Sequence, residues 1–181
     1  MKYRKTIILK DGRECLLRSG TQEDGREALE AFTLAHEETD YLLTYSDEKS
    51  FTVEEEGRYL AAKEESQNGI EILAVVDGKI AGLAGIDPLG DKIKIRHRAG
   101  FGISILKDFW CLGIGHAMVE ACIECAKKAG YEQVELDVVA ENARAIELYE
   151  HCGFVIYGRN PRGFKSRYTG YQEVVYMRLE L

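Results

Sequence analysis

Gly113 and Gly115 stand one residue apart in FWCLGIGHAMVE, directly before an apolar run with helical spacing. The first turn of a helix has backbone N–H groups without intrahelical partners and carries the positive end of the helix dipole, so it favours an anion. Glycines also let the backbone approach a phosphate closely. The Rossmann pattern is excluded because Met118 stands at its third glycine, and no Gly-Lys-Ser/Thr follows to complete a P-loop. The pair therefore predicts either another kind of phosphate-binding turn or a tight turn alone.

A second segment, ENARAIELYEHCGF, follows after one predicted strand. It matches the pattern N-x-x-A-x-x-L-Y-x-x-x-G-F at Asn142, Ala145, Leu148, Tyr149, Gly153 and Phe154. Together with FWCLGIGHAM, which is similar to a Q/R-x-x-G-x-G/A pyrophosphate loop, it resembles the acetyl-CoA-dependent N-acetyltransferases of the GNAT superfamily. The resemblance covers roughly residues 72–179, and residues 1–69 match only in the order of elements. One departure is Trp110, which stands where the family has Gln or Arg.

The resemblance implies a site for acetyl-CoA as a cosubstrate, without a metal. By that resemblance, the pantetheine arm lies along residues 103–106, an N–H group near Ile105 faces the thioester oxygen, and the amides of residues 112–116 hold the pyrophosphate. An N–H donor placed in this way stabilises the negative charge that develops on the oxygen. The implied cofactor-binding residues are Ile103, Ile105, Leu112, Gly113, Ile114, Gly115, His116, Asn142 and Tyr149.

Gly100 and Gly102 lie inside the strand-like segment HRAGFGISIL. Glycines within a strand are typical of a bulge or a close backbone approach, so we expect this strand to splay from QVELDVV and leave a slot. An extended amide chain such as pantetheine can pair with an exposed strand edge as a peptide does. The other interpretation is that the two glycines only make room for packing.

Acyl transfer from a thioester to an amine needs a neutral amine, a stabilised oxyanion and a proton for the departing thiolate. Tyr149 matches the family's tyrosine that faces the sulfur of CoA and is the predicted proton donor, with a core tyrosine as the alternative. A histidine side chain can accept a proton near neutral pH, so His97 is the candidate base, unless it is an exposed edge residue. Glu135 and Asp137 share one face of the next strand and are rivals, as is a chain of bound water. His36 is expected to pack at a helix end.

Two charged segments are candidates for the acceptor site. HEETDYLLTYSDE either holds a cationic amine or forms a solvated loop, and its acids and tyrosines are Glu37, Glu38, Asp40, Tyr41, Tyr45, Asp47 and Glu48. GRNPRGFKSRYTGYQE is a long basic connection that would cover the acceptor, help to form a homodimer or reach a phosphate of CoA. Its cations are Arg159, Arg162, Lys165 and Arg167. The predicted acceptor is a small-molecule amine or a protein N-terminus.

The composition argues against several other classes of protein. A formal net charge of −7 is unfavourable for nucleic acid, whose backbone requires a basic surface. Cys122 and Cys125 form a C-x-x-C without a second pair or a histidine cluster, so we predict core residues rather than metal ligands. The apolar runs are too short for a signal peptide or a membrane span, which predicts a cytoplasmic protein.

The order of the predicted elements indicates how these residues are positioned. The chain has 181 residues, of which 45% are hydrophobic, and we predict one domain over 1–181. Asp-Gly pairs at residues 11 and 77 predict two hairpins, and Thr21 and Thr52 are predicted helix caps. Strand-helix-strand-helix-strand then follows. This order predicts a layered α/β fold with a mixed, mostly antiparallel sheet, whose central strands splay between flanking helices as in the family.

The combined prediction is an N-acetyltransferase that moves an acetyl group from acetyl-CoA to a primary amine by direct attack on the thioester. The alternative is a non-catalytic CoA-binding sensor or interaction module with the same fold. The absence of an acid in AGFGISIL, where the family often has a glutamate, supports this alternative.

Overall fold

The computed structural model describes residues 1–48 and 51–181. Its strands are β1 (Arg4–Ile8), β2 (Glu14–Ser19), β3 (Ile70–Val76), β4 (Lys79–Pro88), β5 (Arg98–Ile105), β6 (Gln133–Val139), β7 (Val155–Ser166) and β8 (Gly170–Glu180). Its helices are α1 (Gly25–Glu38), α2 (Val53–Glu65), α3 (Ile114–Ala129) and α4 (Ala143–His151). Short 3-10 turns precede α1 and follow β5.

The eight described strands form one sheet in the order β1-β2-β3-β4-β5-β6-β8-β7. The pairing of β5 with β6 is parallel, and the other described pairs are antiparallel. The parallel pairing extends only from Arg98 to Gly100 on β5, after which the two strands separate. The predicted mixed sheet with splayed central strands is therefore confirmed. A bulge, which was one of the explanations for Gly100 and Gly102, is absent between β4 and β5, because their register runs unbroken from Ala99 to Ile105.

Helices cover both faces of the sheet because strand side chains alternate between the faces. On one face α3 and α4 close the larger core, in which Ile72 of β3 packs with Met118 and Cys122. On the other face α1 and α2 close a smaller core around Leu60 and Leu73. Burying one such aliphatic side chain stabilises the fold by about 1.5–3 kcal/mol. Cys122 and Cys125 both lie in the core, as predicted, and both thiols are free.

The ends of the helices follow their sequence signals closely. Thr52 caps α2 and accepts from the N–H group of Glu55, whose carboxylate completes a capping box. Thr21 opens a 3-10 turn instead of the helix itself, and α1 begins at Gly25. That glycine is required because a Cβ atom there would lie 2.7 Å from the backbone of Gly57, where α1 crosses α2.

The basic segment before the last strand is not the long loop that its glycines and proline predict. Strand β7 extends through it to Ser166 and pairs with β8, leaving a short turn before Gly170. The register is irregular between Asn160 and Phe164, around the proline. A proline is tolerated there for two reasons. Strand β7 is an edge strand, and the irregular pairing with β8 does not require a backbone N–H group at the position of the proline.

Candidate active site

The two glycines lie where β5 leads into α3. Gly113 is the N-cap of the helix and has a φ of +97°, while Cys111, two residues earlier, has a φ of +64°. The N–H group of Ala117 donates to the carbonyl oxygen of Gly113 at 3.2 Å. The amides of residues 114–116 thus form the first turn, whose N–H groups have no carbonyl in their own helix to bind. This is the predicted arrangement for holding an anion.

A cavity of about 470 Å³, called the first cavity below, lies between the end of β5 and the starts of α3 and α4. Eight of the nine predicted cofactor-binding residues line it: Ile103, Ile105, Gly113, Ile114, Gly115, His116, Asn142 and Tyr149. Leu112 does not line it, and its side chain packs on the larger core instead. The carbonyl oxygen of Leu112 accepts from the N–H group of Lys10 at 3.1 Å, which fixes the loop to the first hairpin.

The unpaired edge of β5 faces this cavity. Leu106 donates to the carbonyl oxygen of Ala81 at 3.0 Å, so even-numbered residues of this segment direct their backbone groups toward β4. Backbone groups alternate along a strand, so Ile103 and Ile105 direct theirs to the opposite side. Strand β6 has already separated at that level, because its pairing ends at Gly100. The N–H groups of Ile103 and Ile105 thus point into the slot where the pantetheine arm was predicted.

Trp110, which stands where the family has a Gln or Arg, lines this cavity. Its indole N–H donates to the carbonyl oxygen of Ile105 at 2.7 Å. The guanidinium carbon of Arg144 lies 4.7 Å from the centre of its ring, and both residues line the cavity. Lys10 lines it as well. Sequence reasoning missed Arg144 and Lys10, because neither lies in a motif position and the two are distant in sequence.

Tyr149 lines the first cavity and belongs to an aromatic cluster. Tyr149 is only 7% exposed. The centre of its ring lies 6.1 Å from the ring centre of Phe101 and 6.0 Å from that of Phe154. Within the described residues, the hydroxyl group has no hydrogen-bond partner. Burial raises the pKa of Tyr149 above its ordinary value of 10.0, so the hydroxyl group keeps its proton at neutral pH.

A second cavity of about 670 Å³ lies on the opposite face of the sheet, against α1 and α2. The two cavities have three lining residues in common, Leu42, Ile103 and Ser104. They therefore meet across β5 at the slot where β6 has separated. A thioester held along the slot would be accessible from the second cavity.

The rival bases Glu135 and Asp137 both line the second cavity. Glu135 is buried, accepts from Arg98 Nη2 at 2.7 Å, and accepts from the hydroxyl group of Tyr157 at 3.2 Å. The ion pair with Arg98 lowers the pKa of Glu135 below its usual range, so this carboxylate is an ionised structural partner. Asp137 is exposed.

Glu71 also lines the second cavity, and sequence reasoning missed it. It is half-buried on β3, and its carboxylate accepts from the hydroxyl group of Tyr59 at 3.2 Å. Burial raises the pKa of Glu71 to about 7, with the nearby charge of Lys63 acting in the opposite direction. The signal in the sequence was the single charged residue of the strand IEILAVV.

The structure does not bring His97 to either cavity. It is half-buried in the turn before β5, at the opposite end of that strand from Ile105. Its carbonyl oxygen accepts from the N–H group of Glu132 at 2.9 Å. His36 is buried near the end of α1, with Nδ1 2.7 Å from the carbonyl oxygen of Phe32, which agrees with the predicted packing role; it also lines the second cavity.

The two charged segments that were candidates for the acceptor site, residues 36–48 and 158–173, contact each other. The hydroxyl group of Ser166 donates to Asp40 Oδ2 at 2.6 Å, and Arg167 Nη1 lies 2.7 Å from both carboxylate oxygens of Asp47. The N–H group of Arg167 donates to the hydroxyl group of Tyr45 at 2.8 Å. These acids therefore tether the loop after α1 to the β7–β8 turn. The four cations predicted to reach a phosphate of CoA do not line the first cavity; they are Arg159, Arg162, Lys165 and Arg167.

The described residues contain no group of three or more His, Cys, Asp or Glu side chains that could hold a metal ion. Among the helices in that part of the chain, none has the length and apolar character needed to cross a membrane.

The family of the chain follows from comparison with known sequences. The profile of the acetyltransferase (GNAT) family matches residues 26–154, which is well over half of the chain. The chain therefore belongs to the acetyltransferase (GNAT) family, and the predicted resemblance is confirmed.

Curated relatives carry the names of N-acetyltransferases. The L-amino acid N-acetyltransferase AaaT of Escherichia coli (strain K12) is 30% identical over 108 residues, which are 59% of this chain and 65% of that protein. The ribosomal protein bS18-alanine N-acetyltransferase of the same strain is 41% identical over 54 residues, which are 30% of this chain and 36% of that protein. The chain thus spans less than two thirds of the length of these relatives.

Solved structures share the fold over nearly the whole chain. An acetyltransferase of the GNAT family from Streptococcus pneumoniae superposes with a TM-score of 0.88, at 30% identity over 92% of this chain and 99% of that one. The yncA structure from Salmonella typhimurium, solved with acetyl-CoA, has a TM-score of 0.80 at 15% identity, over 91% of this chain and 92% of that one. The layered α/β fold is confirmed.

Proposed function

We propose that this chain transfers an acetyl group from acetyl-CoA to a primary amine. One observation carries the proposal: two cavities on opposite faces of the sheet meet at Ile103 and Ser104, where the edge of β5 is unpaired. The first cavity fits acetyl-CoA, because it combines an extended strand edge, a free helix start and the cations Lys10 and Arg144. The second cavity gives an amine access to the same point.

The chain's own residues then have separate roles in the reaction. Bound acetyl-CoA supplies an activated acetyl group to the slot. The N–H group of Ile105 donates to the thioester oxygen and stabilises its negative charge as the amine nitrogen bonds to the carbonyl carbon. The hydroxyl group of Tyr149 donates its proton to the sulfur as the carbon–sulfur bond breaks. The first-turn amides at Gly115 and its neighbours hold the phosphates.

A small-molecule amine and a protein N-terminus are both candidate acceptors. The curated relatives named above support these classes, since one is an L-amino acid acetyltransferase and another acetylates a ribosomal protein. The exposed carboxylate of Asp137 in the second cavity favours a cationic amine over an anionic acceptor. His97 has no support as the base, since it lines neither cavity.

Three further predictions concern the whole chain: a cytoplasmic location, one functional unit over residues 1–181, and a homodimer. The five free cysteines suit a reducing compartment. Strand β7 is an outer strand of the sheet and exposes Val155 and Tyr157, which suits pairing between two copies. Sedimentation of the purified chain over a range of concentrations tests the dimer.

The experiment that tests the function is turnover of acetyl-CoA with a panel of acceptors. The panel contains amino acids, polyamines, aminoglycosides and peptides with free N-termini, and the released thiol of CoA is measured. We expect release that depends on at least one of these amines, together with a product heavier by one acetyl group. Tight binding of acetyl-CoA without amine-dependent thiol release across the panel would favour the non-catalytic CoA-binding sensor instead.

A further inference from the structure

A row of three residues crosses the sheet on the face of α1 and α2. Glu71 of β3 lies opposite Gly85 of β4, and Gly85 lies opposite Gly102 of β5. Residues directly opposed across neighbouring strands point to the same face. The row therefore leads from the carboxylate of Glu71 to the strand that separates the two cavities, through two positions without side chains.

The two glycines leave an open trench along this row. A Cβ atom on Gly85 would overlap Oε2 of Glu71, which places that carboxylate above β4. A Cβ atom on Gly102 would meet nothing within 4 Å. All three residues line the second cavity, and Gly102 is followed by Ile103, where the two cavities meet. The trench thus connects the carboxylate of Glu71 with the slot for the thioester.

We propose that the carboxylate of Glu71 is the general base that removes a proton from the acceptor amine, through one water molecule above Gly102. This inference rests on the proposed acetyl transfer. Adjacent strands are about 4.8 Å apart, so the carboxylate above β4 lies roughly one strand spacing from the trench above β5. Two hydrogen bonds of about 2.8 Å span such a gap through a single water.

The protons and bonds of this step balance. The ammonium group of the acceptor loses one N–H proton through the water to Glu71, which becomes a neutral carboxylic acid. The free amine then bonds to the carbonyl carbon, the carbon–sulfur bond breaks, and the thiolate takes the proton of Tyr149. The second amine proton, the proton on Glu71 and the proton that Tyr149 regains exchange with solvent.

The electrostatic surroundings suit this role. The titratable groups around Glu71 lie on α2, β4 and α3, and they are Glu56, Tyr59, Lys63, Asp87 and Cys122. Burial outweighs the favourable charge of Lys63, which itself pairs with Asp87, and the resulting pKa of about 7 is close to the ideal for a general base. Glu135, a buried acid that lines the same cavity, is already bound to Arg98.

The first test is Glu71→Gln, assayed with an acceptor that the panel identifies. We expect kcat/KM for the acceptor to fall at least a hundredfold near pH 7, while the Kd for acetyl-CoA stays within twofold. The loss should shrink at high pH, where the amine deprotonates itself. The matched control is Glu56→Gln, since Glu56 is a buried acid with a raised pKa that lines neither cavity. Its kcat/KM should stay within about threefold of the wild-type value near pH 7, because Glu56 acts on the pKa of Glu71 only as a minor nearby charge.

The second test leaves Glu71 in place and obstructs the trench with Gly102→Ala. The site has room for the methyl group, so we expect an unchanged melting temperature and an unchanged Kd for acetyl-CoA, with kcat/KM for the acceptor about tenfold lower. A Glu71→Gln enzyme that keeps the wild-type pH profile would overturn this inference alone. If Glu71→Gln does not fold, unchanged kinetics of Gly102→Ala would overturn it. A wild-type chain that acetylates no amine would overturn the proposed function as well.

Discussion

The indole N–H group of Trp110 donates to the carbonyl oxygen of Ile105 at 2.7 Å. This bond joins the loop before α3 to the unpaired edge of β5, and it caps the carbonyl group of the residue whose N–H group is assigned to the thioester oxygen. The family's Gln or Arg at this position would bring a polar side chain of its own to the loop. In this chain a ring supports the guanidinium group of Arg144 instead, 4.7 Å from its centre.

Trp110→Phe should weaken acetyl-CoA binding about threefold to tenfold, because it removes one hydrogen bond of roughly 1 kcal/mol while it keeps an aromatic ring beside Arg144. Isothermal titration with acetyl-CoA measures the change, and the melting temperature of the variant shows whether folding is affected. An unchanged Kd on folded protein would contradict the anchoring role.

Gly113→Ala and Gly130→Ala form a matched pair at the two ends of α3. Both glycines have positive φ and open space where the new methyl group would lie, so each variant should lose about 1 kcal/mol of stability from backbone strain. Only Gly113 lines the first cavity. We expect the affinity for acetyl-CoA to fall tenfold or more in Gly113→Ala and to remain normal in Gly130→Ala. Equal affinities in the two variants would remove the phosphate-loop assignment.

Tyr149→Phe deletes one hydroxyl group and keeps the ring in its aromatic cluster. If the hydroxyl group protonates the departing thiolate, turnover should fall by about 10²–10⁴-fold with little change in the Kd for acetyl-CoA. The matched control is Tyr131→Phe, since Tyr131 is also buried but donates to the carbonyl oxygen of Asn68 at 2.8 Å, away from both cavities. This control should cost stability and leave turnover normal. Near-normal turnover of folded Tyr149→Phe would reject the acid role.

His97→Ala should have a small effect, within about threefold on kcat/KM, because His97 lies in the turn before β5 and lines neither cavity. The pH profile of kcat/KM should keep its shape. A loss of a hundredfold that shrinks at high pH would restore His97 as the base.

The stability of the protein should report the environment of Glu71. An acid with a raised pKa in the folded state holds its proton more tightly when folded than when unfolded. Its contribution to stability is therefore lost as the pH rises from its ordinary pKa of 4.5 to about 7. We expect Glu71→Gln to remove this pH dependence. The free energy of unfolding of the variant should therefore rise, relative to that of the wild type, by roughly 1–3 kcal/mol between pH 4.5 and pH 8. Urea titrations at both pH values measure it. A difference that does not change with pH would contradict the buried carboxylate.

Local signals predicted much of the fold. The capping box of Thr52 and the glycine after α3 depend on neighbours in the sequence, and both are present in the structure. The extension of β7 was missed because Pro161 and Gly163 are typical of loops. Pairing with β8 overrides that preference, and the irregular register absorbs the proline.

The first cavity was predictable because its motifs are short and contiguous. The second cavity was not, because its base candidate depends on the register of three strands. Glu71, Gly85 and Gly102 are separated by 14 and 17 residues, and only the pairings of β3 with β4 and of β4 with β5 bring them into one row. In the same way, the acids of the loop after α1 predict an acceptor site when their partners are unknown, because Ser166 and Arg167 lie far along the chain.

The tether between Asp40 and Ser166 joins residues 126 positions apart in the chain. A ribosome delivers Ser166 after every residue that lines the first cavity, the last of which is Tyr149. Leu42, which lies in the tethered loop and lines both cavities, is therefore held by a contact that can form only after residue 166 has been synthesised. At Leu42, both cavities therefore depend on a contact with the β7–β8 turn, which follows in the chain after the segments that supply the phosphate loop and Tyr149.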